Sequence, residues 1–476
     1  MPRLPLTNIA GLNLYVNPLT NAEGSLIRSV NLDSSQYGVK SKRKGYATYL
    51  GTADGSAVNS LFNWTQADGS TMFNYRASGS SLYYSAQGTG AWTLCGNGTI
   101  TAGAKVRAAV LDNTLIICDG AGSTRHTTNG TSFTNTTLAP IATDLFQYQN
   151  RIYALGTASD AFYSTTNDAT NWNTSGTSDS NSLRIPGAGK LLRGFKANDR
   201  AVFTKNSGLV YRWDGYTLID LSTKIGPASA DAIDSSEDFW MWINQLGHFG
   251  YGGGRPQILS NAVQKLFYNN SGSAAAGTAI QNSVGVVHQY DYFATMGSVT
   301  DDFTNETVSN VVLKYDYQKN EYAEYSLAKN PTAFLSYKDP SRNLQMIFGD
   351  STGQCYTFNS GMSDNGVPIT SIMEFFSDCD APELEKKFEF LDLFMNPNCQ
   401  AHVQVAVGNS FSKDSKVWVD LVPDQVTGRN YAAGHLIYRL PQGSRGEFIF
   451  IKITDAITTT PFVFFGAVLT YDFVKR

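Results

Sequence analysis

From residue 59 to residue 369 the chain repeats one pattern: an apolar strand, a tight turn, a second apolar strand, then a polar hairpin closed by an aromatic residue. Units begin near Ser60, Val106, Asp144, Leu191, Ala232, Gly285 and Ala333, a spacing of roughly forty to fifty residues that suits four-stranded blades. A turn of Asx or similar type sits at the same place in several units. Asp112-Asn113 precedes Thr114 to Ile117, Gln149-Asn150 precedes Arg151 to Ala154, Asn198-Asp199 precedes Arg200 to Phe203, and Ser341-Arg342-Asn343 precedes Leu344 to Ile347. Asn and Asp tolerate the left-handed backbone that tight hairpins require. Strands such as Leu115 to Cys118 and Phe239 to Ile243 are apolar on both sides, as a sheet buried on both faces demands. Radial stacking of such sheets buries both faces and leaves only short edges. The pattern therefore predicts an all-β chain whose residues 59–369 form a β-propeller of six to seven blades, about four strands each. The count stays open because Asp301 to Asn310 reads as an insertion.

Beyond residue 369 the pattern changes to strict alternation. Ala401, Val403, Val405 and Val407 share one face with His402 and Gln404 opposite; Val417, Val419 and Leu421 alternate with Trp418 and Asp420; Ile449, Ile451 and Ile453 alternate with Phe448, Phe450 and Lys452. Such strands, separated by polar turns, predict a β-sandwich over 370–476. Ala381 to Lys387 reads as a short helix or linker within it. Residues 1–58 read as an N-terminal arm, extended from Gly11 to Leu19, followed by a basic entry segment, Lys40-Ser41-Lys42-Arg43-Lys44-Gly45-Tyr46.

Three polar hairpins are closed by an aromatic: Ser85 to Trp92, Thr127 to Phe133 and Thr165 to Trp172. Thr165 to Trp172 is expected to fold as a compact turn with Trp172 packed back between neighbouring sheets, and the other two are related versions whose succession argues for a repeated blade. Thr165 to Trp172 resembles a degenerate Asp box, the hairpin turn of sialidase-like and related propellers, with Asn where that motif has Asp and Ala169 where it has Gly.

Composition narrows the function classes. The net charge is −4 and the charged fraction 16%, which gives no global basic footprint for nucleic acid. Cys95, Cys118, Cys355, Cys379 and Cys399 are scattered, with no Cys-x-x-Cys pair, so reduced thiols are expected rather than a disulfide framework or zinc knuckle. No charged-then-apolar leader stands at Met1 to Asn21, and no apolar run has membrane-spanning length. His126, His248, His288, His402 and His435 are not at metal-ligand spacing. Gly250 to Arg255 is Gly-rich but lacks the Lys-Ser/Thr and following helix of a nucleotide loop, and reads as a hairpin tip. Leu183-Arg184-Ile185-Pro186 resembles the sialidase Arg-Ile-Pro motif, but follows the Asp-box-like turns instead of preceding them. No catalytic, cofactor-binding or metal-binding residue is assigned, and the chain is expected not to be an enzyme.

The order of parts (extended arm, basic-Gly entry at Lys42 to Tyr46, propeller, sandwich) resembles the tail nozzle proteins of short-tailed bacteriophages, also called packaged-DNA stabilisation or tail hub proteins. Phe239 to Ile243 leading to Pro256 to Val263, and the strands around Ser410 to Leu421 and Glu447 to Asp472, contribute most to the likeness. The resemblance implies a virion protein of the tail, synthesised in the bacterial cytoplasm. It implies a hexameric ring below portal and adaptor that holds the packaged genome and conducts it on ejection without sequence-specific binding. Mild acidity suits a conduit that must not grip DNA. Lys40, Lys42, Arg43 and Lys44 are the candidate contacts to a partner or to DNA phosphate. The alternative is a propeller that binds host glycan or receptor as a tail or adhesion module, with a sialidase-like glycosidase third.

Overall fold

The computed structural model describes residues 2–474 apart from 8, 10, 15–24, 37, 70, 157, 176–177, 223, 237–238, 268–276, 301–306, 398, 400, 410–415, 423–433 and 459. Six propeller blades are each built from four consecutive antiparallel strands, within 58–99, 107–135, 144–184, 191–222, 233–258 and 285–326. A seventh takes three strands from 333–358 and its outermost strand, Tyr46–Tyr49, from the N-terminal region, paired antiparallel with Cys355–Phe358. The blade starts read from the hydrophobic pattern coincide with the first strands to within two residues.

The ring closes because each blade is apolar on both faces. Trp64, Phe73 and Tyr75 of blade 1 pack on Leu115 and Ile117 of blade 2, and equivalent cores lie at the next five junctions. The circuit ends where Tyr337 and Ile347 of blade 7 meet Val58 and Met72 of blade 1. The Asx turns set the hairpin geometry. Gln149 and Asn150 have φ of 48° and 53°, Asn198 and Asp199 of 46° and 53°, the paired left-handed conformations of a type I′ turn, whose twist matches that of the flanking strands.

The three aromatic-closed hairpins occupy equivalent places, between third and fourth strands of blades 1, 2 and 3. In the third, Asp168 Oδ1 accepts the Thr170 N–H at 2.8 Å, and the Trp172 indole N–H donates to the Ala169 carbonyl at 3.0 Å. The turn thus presents Trp172, 6% exposed, to the junction with blade 2. Phe133 serves the junction of blades 1 and 2 in the same way, and Trp92 that of blades 7 and 1. Each aromatic seals its own blade against the preceding one.

Two further sheets face each other across one apolar core, in which Met373, Phe375, Val403, Val405 and Ile451 meet Leu391, Leu393, Phe464, Ala467 and Leu469. The first runs Leu26–Val30, Ser371–Ser377, Phe448–Asp455, His402–Gly408, Val419–Leu421. It continues directly from blade 6, because Val30 pairs in parallel with Glu324, giving one nine-stranded sheet. The second holds Leu32–Gln36, Val39–Lys42, Val463–Phe473, Lys386–Met395 and His435–Arg439, with Arg3–Leu6 paired to Val463–Phe473.

This corrects the expectation of a separate N-terminal arm over 1–58. Its described strands are shared between both sheets of the two-layered unit and blade 7, because edges that would otherwise be left with unpaired backbone groups need a partner strand. Leu12 and Leu14 lie in the core between blades 5 and 6, and Leu14 N–H donates to the Ala262 carbonyl at 2.6 Å; Tyr15 to Leu19 lie outside the described residues. Two local expectations also change. Ala381 to Leu384 is a turn, and Lys386 already belongs to a strand, its ammonium donating to the Glu447 carbonyl at 2.8 Å. Residues 307–310 belong to the long strand Thr307–Asp316, not to an insertion. All five cysteines are buried and none forms a disulfide.

His248, fully buried between blades 5 and 6, stacks on Tyr292 at 4.8 Å and shares a 2.8 Å hydrogen bond with the Tyr322 hydroxyl through Nδ1. Burial pushes its pKa down to about 3. The unfolded chain, with an ordinary imidazole near 6.5, takes up a proton that the folded chain refuses, so stability falls as pH drops from about 6.5 toward 3, by up to ~1.4 kcal/mol per pH unit. Urea midpoints at pH 7.5, 5.5 and 4.5 should fall less steeply for His248→Phe than for the native chain; parallel pH profiles would refute the assignment.

Candidate functional site: the basic entry and the propeller bore

The basic entry lies where propeller and two-layered unit meet, and most of it is consumed internally. Lys40 is 2% exposed and donates to Glu321 at 3.1 Å; burial lowers its pKa, with Glu321 opposing that shift. The Lys42 ammonium, also buried, pairs with Asp455 and donates to the Ile457 carbonyl at 2.7 Å. Arg43 uses all five N–H donors. Nε bonds Asn31 Oδ1 at 2.7 Å, Nη1 bonds Asp364 Oδ1 at 2.8 Å and the Lys44 carbonyl at 3.0 Å, and Nη2 bonds Asp364 Oδ2 at 2.7 Å and the Ser326 carbonyl at 2.8 Å. These partners come from the two-layered unit and from the ends of blades 6 and 7. The expected contact to DNA phosphate is thereby corrected for Lys40, Lys42 and Arg43, because a buried cation requires a matched partner and finds it within the chain. Lys44 is the exposed member of the four.

Next to it, Asp33 of the second sheet meets Lys314 of blade 6 at 2.5 Å, and Lys314 also pairs with Asp291 at 3.2 Å. Burial pushes Asp291 up to about 6; Lys314 works against the shift and Asp33 adds to it. The blades and the two-layered unit are thus joined by charge as well as by the shared sheet.

The second concentration of charge lines the propeller bore. A cavity of about 280 Å³ is bounded by Asn59 to Asn63, Arg107, Arg193, Asp231, Asp234, Val284 to Val286 and Ala333 to Ser336. These lie on or beside the innermost strands of six blades. The remaining blade, the third, sends Asp144, which accepts Arg193 Nη1 at 2.6 Å and the Gly194 N–H at 2.7 Å. Arg107 pairs with Asp231 at 2.6 Å, and Lys105 lies 3.5 Å from the same carboxylate. Burial alone would raise Asp231, but Arg107 and Lys105 more than offset it and the net direction is down. Asp234 goes the other way: burial raises its carboxyl, although it accepts the Val287 N–H at 2.8 Å. This network escaped the sequence reading. Its signal is a charged residue inside or at the start of an otherwise apolar first strand, as at Arg107, Asp144 and Arg193.

The other sequence leads do not converge on either place. Arg184 is 80% exposed on the fourth strand of blade 3, 3.7 Å from Asp160. Gly250 lies within the strand Gly247–Tyr251, where a Cβ would meet the Phe239 ring at 2.5 Å, so that glycine serves close packing. Among the described residues no group of three or more His, Cys, Asp or Glu is arranged to hold a metal ion, and no helix is long and apolar enough to cross a membrane.

No protein-family model matches the chain, and no curated protein matches it. Among solved structures, YCF48 bound to D1 peptide is 9% identical, covering 66% of this chain and 94% of that one, with a TM-score of 0.42. U3-55K is 9% identical over 66% of this chain and 98% of that one, TM-score 0.44. BamB from Moraxella catarrhalis is 11% identical over 75% and 96%, TM-score 0.40. The successive four-stranded sheets, closed by the packing of blade 7 on blade 1, make this chain a β-propeller protein.

Proposed function

We propose that the chain is a structural protein of a short-tailed phage tail, a nozzle or hub subunit whose ring retains the packaged genome and conducts it on ejection, and that it carries no catalytic activity. The observation that supports this reading best is the nine-stranded sheet running from blade 6 into the two-layered unit. A conduit wall under load needs its parts joined by backbone hydrogen bonds and packed cores rather than by a free linker. The basic-Gly entry fits the same role: it locks the subunit internally and leaves a mildly acidic chain that does not grip passing DNA. A ring needs two different, complementary surfaces on each subunit that close by rotation. Electron microscopy and native mass measurement of the purified chain, alone and with the portal-adaptor complex, should give closed rings, with virion tails as its place in the particle. A monomer in both conditions would overturn the reading, as would sialoside hydrolysis.

A second reading, glycan or receptor binding, is favoured by Tyr216, 93% exposed on the blade 4 hairpin whose backbone is held by Asp214. An exposed phenol ring can lie on a sugar face. Binding on a glycan array that is lost in Tyr216→Ala, by a chain absent from the virion, would select it.

A further inference from the structure

We propose that the cleft where blades 6 and 7 meet the basic entry segment is a binding site for a neutral saccharide, with Tyr290 as its stacking platform. The site is separate from Tyr216 on blade 4 and does not depend on the phage reading. A cavity of about 530 Å³ opens there, with Lys44, Gln289, Tyr290, Gln318 and Asn359 in its lining. That volume lies within the ~300–1,000 Å³ of small-molecule sites, which favour junctions between folded units. Gln289 and Tyr290 form the turn between the first two strands of blade 6, Gln318 lies in the turn between its last two, and Asn359 follows the third strand of blade 7. The Tyr290 ring is 54% exposed and held in place. Tyr317 meets it edge to face at 5.9 Å, and the Tyr317 hydroxyl is fixed by the Gln289 carbonyl at 3.0 Å and Ser236 Oγ at 2.8 Å. A braced, solvent-facing ring is what the apolar face of a sugar stacks on.

The polar groups around that ring suit hydroxyls. Gln289, Gln318 and Asn359 are exposed, and their side-chain amides have no partner among the described residues. Each amide offers both donors and an acceptor, which matches a sugar hydroxyl, itself donor and acceptor. Charge argues for a neutral ligand. The cations and carboxylates of the wall are spent on one another: Lys314 lies between Asp33 at 2.5 Å and Asp291 at 3.2 Å, Lys319 pairs with Asp316 at 2.9 Å, and Lys42 with Asp455. Lys44 offsets the one carboxylate in excess, so the lining has no net formal charge.

The test is saturation-transfer NMR of the full chain at pH 7, titrated through the millimolar range with maltose, cellobiose, lactose, chitobiose and, as the anionic comparison, glucuronate. Saturable binding of at least one of the four neutral disaccharides is expected. Tyr290→Ala should weaken it at least tenfold, and so should the double variant Gln318→Ala with Asn359→Ala. Tyr290→Phe, which keeps the ring, should retain it. Leu138→Ala, which trims a side chain 68% exposed on the connection between blades 2 and 3, should leave it unchanged. All these positions are exposed, so the variants should fold, with melting profiles like that of the native chain. Absence of saturable binding to every neutral disaccharide overturns the proposal, as does binding to glucuronate alone. So does affinity that survives Tyr290→Ala or the double variant, or that Tyr290→Phe or Leu138→Ala removes.

Discussion

Arg43→Ala should destabilise the protein by about 3–5 kcal/mol, the largest effect expected of any single substitution, because it strands a buried carboxylate. Asp364 would lose both bonds of a bidentate pair, at 2.8 and 2.7 Å, while keeping one N–H, from Ala328 at 3.1 Å. Asn31 and the Ser326 carbonyl would lose a donor each. Arg43→Lys should recover little, since a point charge cannot reproduce the planar fork. By contrast, Arg43→Met combined with Asp364→Leu should recover a large part, since replacing a whole buried pair with apolar groups is far less costly than breaking it. Urea midpoints of the three variants settle the matter. A single-variant loss below ~1 kcal/mol would place the pair among solvent-screened surface bridges and remove its role as the lock between propeller and two-layered unit.

Removing residues 1–50 should abolish cooperative folding of the remainder. The deletion takes away Tyr46–Tyr49, which closes blade 7 along Cys355–Phe358, together with four strands of the two-layered unit. The inner strand Leu26–Val30 is also the link through which Glu321–Ser326 joins Ser371–Ser377. Its loss opens two sheet edges at once and bares the apolar core around Phe375 and Leu391, the conditions for edge-to-edge aggregation. Size-exclusion chromatography and a thermal melt of the truncated chain should show aggregate and no sharp transition. A monodisperse protein melting within a few degrees of the native chain would contradict this account of ring closure.

The propeller was legible because its information is local. Several blades announce themselves by two short apolar strands around a tight turn, and the left-handed φ values at Asn150, Asn198 and Asp199 are what Asx residues supply. Trp172 was placed between sheets from turn chemistry alone, and Trp92 and Phe133 in the related hairpins take the same place. The fate of residues 1–58 was not legible, because it is decided by partners far away. Lys40 finds Glu321 across 281 positions and Arg43 finds Asp364 across 321. Four cations in five residues read as a solvated or DNA-facing patch, since nothing nearby neutralises them. Alternation is silent on depth: Val417 and Val419 are 76% and 40% exposed while Leu421 is 7% exposed, because a period of two says which residues share a face but not how far the opposing sheet extends. The bore charges went unread because the sequence does not show that first strands from different blades converge on one axis.

The split seventh blade has a consequence for synthesis. Tyr46–Tyr49 leaves the ribosome early, yet its partner Cys355–Phe358 is still some three hundred residues from being made. At ~5–20 residues per second that wait lasts on the order of tens of seconds. Arg3–Leu6 waits longer still, for Val463–Phe473. A polypeptide cut short by premature termination therefore presents an unlatched ring with raw strand edges, which proteases and chaperones recognise. Closure of the ring therefore waits on synthesis of Cys355–Phe358, and copies that stop short of it are marked by their open edges.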